Sequence, residues 1–85
     1  MTSDEFNEKY KAFIEPGFED QGLEIDIPEI VSMLNDIFSE LTLIPGFNYS
    51  QIKLKFNMAR VYTSLKSSIN TLIEHEIDSI VDYTK

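Results

Sequence analysis

The sequence has no cysteine and no tryptophan, one histidine, and only three glycines and three prolines among 85 residues. Without cysteine there is no disulfide framework, no thiolate metal site and no cysteine nucleophile. Secreted domains of this size are commonly stapled, so the composition points to a reducing, cytoplasmic setting. No apolar run approaches the roughly 20 residues of a membrane helix, and the opening Met1-Thr2-Ser3-Asp4-Glu5 is acidic where a signal peptide is basic. We therefore expect a cytoplasmic protein with no membrane span. The glycines, Gly17, Gly22 and Gly46, lie too far apart for a phosphate-cradling loop. Positive charge is scarce as well: seven Lys and Arg stand against fifteen Asp and Glu, a net charge of −8.

A chain this short forms one domain that buries only about 60% of its unfolded surface, which leaves little room for a deep catalytic pocket. Its charge is unevenly spread. Residues 1 to 30 hold nine acids and two lysines, whereas 51 to 66 hold Lys53, Lys55, Arg60 and Lys66 with no acid. A net negative field repels phosphate and disfavours direct nucleic-acid binding unless the basic segment forms an isolated patch. The same field attracts a basic protein, although acidity also simply keeps a small domain soluble.

Thr2-Ser3-Asp4-Glu5 reads as a capping box, followed by Phe6, Tyr10, Phe13 and Ile14 on one helical face until Pro16-Gly17 stops the segment. Residues 15 to 25 read as an acidic loop. Asp26-Ile27-Pro28-Glu29 predicts a second helix, with Asp26 as cap and Ile27, Ile30, Val31, Leu34, Ile37, Phe38 and Leu41 at helical spacing. Pro45-Gly46 predicts a turn.

Residues 50 to 63 then change period. Ile52, Leu54 and Phe56 alternate with Lys53 and Lys55, and Ala59, Val61 and Thr63 alternate with Arg60 and Tyr62. A hairpin turning at Asn57-Met58 would set Phe56 opposite Ala59, Leu54 opposite Val61 and Ile52 opposite Thr63, giving an apolar face and a basic one. A slightly longer loop, or a helix through the stretch, stays open. Strands fit better, because on a helix these apolar residues scatter around the circumference. A last helix follows from Ser67 or Ser68, with Ile69, Leu72, Ile73, Ile77, Ile80 and Val81 as its buried stripe and Glu74, Asp78 and Asp82 on the wet side.

Chemistry is thin. His75, with Glu74, Glu76, Asp78 and Asp82 around it, lacks a second histidine or a cysteine, so it reads as an exposed acidic helix face and implies no metal. Glu15, Glu19, Asp20, Glu24 and Asp26 do not follow a calcium-loop order; they are instead the candidate partner-binding surface. Lys53, Lys55, Arg60 and Tyr62 form the candidate basic face, expected to pair with acids of the first 30 residues or the last helix. No serine has a triad partner, and no Gly-x-Ser-x-Gly elbow exists. Nothing calls for a cofactor.

The segment Gln51-Ile52-Lys53-Leu54-Lys55-Phe56-Asn57-Met58-Ala59-Arg60-Val61-Tyr62 resembles the QIKEKFGGLRFY motif of a family of small phage and prophage proteins of unknown role. Gln51, Ile52, Lys53, Lys55, Phe56, Arg60 and Tyr62 are identical to it. Around the motif, Glu8-Lys9-Tyr10, the Ile30 to Leu41 helix and the Ile69 to Val81 helix fall in a similar order. Leu54 stands where the family has Glu, and Asn57, Met58, Ala59 and Val61 replace Gly, Gly, Leu and Phe. Asn tolerates the left-handed region, so position 57 keeps its capacity to turn. The resemblance implies a phage origin.

The expected architecture is α+β, with two N-terminal helices, a short hairpin and a long C-terminal helix packed on the hairpin's apolar face; an all-α three-helix bundle is the alternative. The expected function is non-enzymatic: an accessory or anti-defence protein that blocks a host protein through its acidic surface. An immunity protein or antitoxin that neutralises a basic nuclease fits the same features, and a nucleic-acid module using the basic hairpin is a third reading.

Overall fold

The computed structural model describes residues 1–84, which form a mixed α+β fold of three α-helices and a three-stranded sheet. Helix α1 spans Ser3–Lys9 and opens on the expected box: Glu5 N donates to Thr2 Oγ1 (3.1 Å) and Thr2 N to Glu5 Oε1 (2.9 Å). The helix is shorter than its apolar spacing predicts, giving way to a 3₁₀ turn over Lys11–Phe13. Phe6 and Tyr10 are buried, while Phe13 and Ile14 pack on the core edge.

Helix α2 spans Pro28–Leu41 and buries Ile30, Val31, Leu34 and Phe38. Asp26 does not cap it. With Pro28 at the first helical position, the residue before it is forced extended, so Ile27 occupies the cap (φ −105°, ψ 116°) without a side-chain bond. Asp26 Oδ1 instead accepts from Ser3 N (3.0 Å), tying the start of α1 to the entry of α2. The Pro45-Gly46 turn forms as expected, with Phe47 N donating to Ile44 O (3.1 Å) and Gly46 at φ 80°.

Strands β2 (Tyr49–Lys55) and β3 (Met58–Thr63) make an antiparallel hairpin. Its register differs from the expected one. Lys55 closes on Met58, Leu54 lies opposite Ala59, Lys53 opposite Arg60 and Ile52 opposite Val61. The turn residues are Phe56 (φ 54°) and Asn57 (φ 61°), because a type I′ turn needs two positive φ values and Asn57 tolerates one where Met58 would not. The pairing moves by two residues in total, so no side chain changes face. A bulge between Tyr49 and Gln51 then breaks the alternation and leaves Tyr49 and Ser50 both buried.

The segment read as a loop contains a third strand, β1 (Gly22–Leu23), parallel to β2 with Gly22 beside Gln51 and Leu23 beside Ile52. Its outer edge is closed by a side chain. Asn7 Oδ1 accepts from Leu23 N (2.8 Å) and Asn7 Nδ2 donates to Leu23 O (3.0 Å), so one amide acts as a peptide of a fourth strand. Gly22 is required there: its φ is +75°, and a Cβ would lie 2.6 Å from Asn7 Oδ1.

Helix α3 (Ser67–Thr84) lies along β3 and sends Ile73, Ile77 and Val81 into the core. Two expectations for it fail. Ile69 and Leu72 are exposed, whereas Glu74 and Asp78 are half-buried and accept hydrogen bonds from β3. The helix sits beside the strand's edge as well as against the core, which rotates its apolar stripe toward Ile73, Ile77 and Val81.

The core centres on aromatic rings. Phe38 meets Phe6, Tyr10, Phe47 and Tyr49, and Tyr49 is fully buried. Burial, with Tyr10 as the smaller cause, pushes the Tyr49 hydroxyl up to about 12. An unfolded tyrosine titrates near 10. The stability Tyr49 contributes is therefore complete below about pH 10 and is lost as pH rises toward 12, at up to about 1.4 kcal/mol per pH unit. Urea unfolding across this window should show a shallower decline for Tyr49→Phe, whose lost bond to Asn7 is long at 3.5 Å. Parallel declines for the two proteins would refute the assignment.

Candidate functional site

The chain after α1 makes two successive turns, Phe18 N to Glu15 O (3.0 Å) and Gln21 N to Phe18 O (2.9 Å), before β1 enters the sheet. Those turns stand off from α1 and leave a groove of about 750 Å³ between them. Asp4, Glu8 and Lys11, at helical spacing, form one wall; Glu19, Asp20, Gln21 and Glu24 form the other. Among the described residues its walls carry five carboxylates and one lysine.

The single lysine is already engaged, with Lys11 Nζ 2.8 Å from Glu8 Oε1, and that pairing raises the Lys11 pKa. Glu19 accepts from Gly17 N (2.9 Å), and backbone N–H donors, its own first and that of Gly17 second, hold its carboxyl below the ordinary range. It therefore stays charged to lower pH than a free glutamate. On the inner wall, Gln21 Oε1 is a buried acceptor without a hydrogen-bond partner among the described residues.

Of the acids proposed from the sequence, Glu19, Asp20 and Glu24 line the groove, while Glu15 and Asp26 do not. Glu15 is exposed, and Asp26 bonds Ser3 N. Asp4, Glu8 and Gln21 were missed. The Asp4 to Glu8 step of four residues was a visible acidic helix stripe, but only the tertiary fold sets it against Glu19, Asp20 and Glu24. Among the described residues no three His, Asp or Glu side chains group as metal ligands. His75 is exposed on α3, and Glu74 and Asp78 are occupied at the β3 edge.

The basic residues occupy a separate surface, the outward face of the β2–β3 hairpin. Lys53 and Arg60 are directly opposite each other, with Lys55 toward the tip and Tyr62 paired to Gln51. The expected neutralisation does not occur. Glu8–Lys11 is the ion pair found among the described residues, and none of Lys53, Lys55 and Arg60 has a carboxylate within pairing distance there. Five of the nine acids of the first 30 residues, Asp4, Glu8, Glu19, Asp20 and Glu24, line the groove, and Glu74 and Asp78 of α3 turn to the β3 backbone.

No helix among the described residues is long and apolar enough to cross a membrane. Comparison with known protein families, curated proteins and solved structures gives no match for this chain.

Proposed function

We propose that this protein is a non-enzymatic binding protein whose acidic groove takes a basic segment of a protein partner. One observation carries the reading: five carboxylates from two separate chain segments converge on one groove against a single, already paired lysine. Bringing like charges together costs folding energy, which a cationic partner offsets on binding. The groove holds Ser3 but neither histidine nor cysteine, so no activated nucleophile accompanies the charge.

In the phage setting that the sequence motif implies, the partner is a host protein that the chain blocks. An immunity protein facing a basic nuclease would use the same chemistry, and a neighbouring toxin gene would favour it. The test is capture from host lysate by the parent and by the triple variant Glu19→Lys, Asp20→Lys, Glu24→Lys. All three side chains are exposed, so folding should be preserved. The variant should lose the specifically captured protein at least about tenfold, a change of about 1.4 kcal/mol. Equal capture by both proteins would remove the groove from the interface.

A further inference from the structure

The hairpin's outward face combines features that folding alone does not explain. Lys53 lies directly across from Arg60, and like charges opposite each other destabilise a strand pair. A chain with fifteen acids leaves this pair without a carboxylate partner among the described residues. On the same face Tyr62 is 47% exposed, and at the tip Phe56 is 88% exposed. Phe56 also holds φ 54°, a left-handed conformation that a bulky side chain avoids. Its ring and its backbone are therefore both unfavourable in the isolated protein, a combination that points to a use outside the fold.

From this geometry we infer that the outward hairpin face, Lys53, Lys55, Arg60, Tyr62 and the tip residue Phe56, binds single-stranded nucleic acid, independently of the acidic groove. Five residues of strand give a track of about 17 Å from the Gln51–Tyr62 pair to the tip. Cations in the middle of this track meet backbone phosphates, and the rings at its two ends offer stacking platforms for unpaired bases. Duplex recognition is not favoured, since stacking on the two exposed rings needs bases that are free. An acidic polypeptide would satisfy the cations but would leave the two exposed rings without a role. The net charge of −8 does not prevent contact, because residues 51 to 66 carry no acid. It makes binding weak and salt-sensitive, with about three phosphate contacts and a log–log salt slope near −2.

The test is fluorescence anisotropy of the full chain with a labelled oligothymidylate of about twelve nucleotides at low salt. The parent should bind, and Lys53→Glu should weaken binding at least about tenfold. That variant places opposite charges across the strand pair, so it should unfold at equal or higher urea than the parent, separating lost binding from lost folding. Tyr62→Leu with Phe56→Ser should weaken binding by a further factor of about ten, while the groove triple variant should retain it. No binding at low salt would overturn the inference. So would polyglutamate binding as tightly as the oligonucleotide with no loss in the ring variants, which would assign the face to acidic protein instead.

Discussion

Truncating Phe38 to alanine is expected to cost about 3–5 kcal/mol, as deletion of a fully buried aromatic ring typically does. Phe38 has no exposed surface. Its ring centroid lies 4.9 Å from Phe6, 5.0 Å from Tyr49, 5.2 Å from Tyr10 and 5.4 Å from Phe47. These partners come from α1, the residue that ends it, the turn after α2, and β2, so the cavity would open where four chain segments meet. None can collapse into it without leaving the others. A domain of this length has a total stability of about 4–13 kcal/mol, which makes the loss about a quarter of it or more. Urea unfolding should show a large fall in midpoint with the slope preserved. Phe56→Ala is the contrasting variant: with its ring in solvent and a Cβ retained at the same positive φ, it should change stability by no more than about 0.5 kcal/mol. A Phe38→Ala loss below about 1 kcal/mol would place the core's centre elsewhere.

The difference between those two phenylalanines was only partly legible in the sequence. Local features were readable: the Thr2–Glu5 box closes within one turn, the α2 stripe repeats at helical spacing, and the alternation after Ser50 fixed which hairpin residues share a face. The turn was misplaced by one residue, because the pattern set Phe56 on the apolar face and nothing local revealed that it would carry a positive φ. Strand β1 is two residues long and pairs with residues far along the chain, so no periodicity could mark it. The sequence also marked Glu19, Asp20 and Glu24 as a candidate surface, but their opposition to Asp4 and Glu8 exists only in the folded chain. Charge was misread in a consistent way. Lys53, Lys55 and Arg60 were expected to find acids, whereas Asp26, Glu74 and Asp78 bond backbone N–H groups instead.

Glu74 and Asp78 close the outer edge of β3. In a two-residue hairpin closed by Lys55 and Met58, residues 58, 60 and 62 bond inward to β2, so the N–H groups of Ala59 and Val61 point out from the sheet edge. Asp78 Oδ1 accepts from Ala59 N (2.7 Å), Glu74 Oε2 from Val61 N (2.8 Å), and Asn70 Oδ1 from Thr63 Oγ1 (2.6 Å). The match is geometric: four helical residues rise about 6.0 Å and two strand residues about 6.8 Å, so side chains four apart on α3 track alternate residues of β3. The double variant Glu74→Ala, Asp78→Ala should therefore lose about 2–4 kcal/mol, since each removal strands a half-buried donor that had a charge-assisted bond. It should also free an edge that pairs with other chains, raising the apparent mass in sedimentation relative to the parent. Glu74→Gln with Asp78→Asn keeps an oxygen acceptor at each position and should lose about half as much or less, with no gain in mass. If the alanine and amide variants unfolded alike, packing of α3 rather than closure of the edge would account for its hold on the sheet.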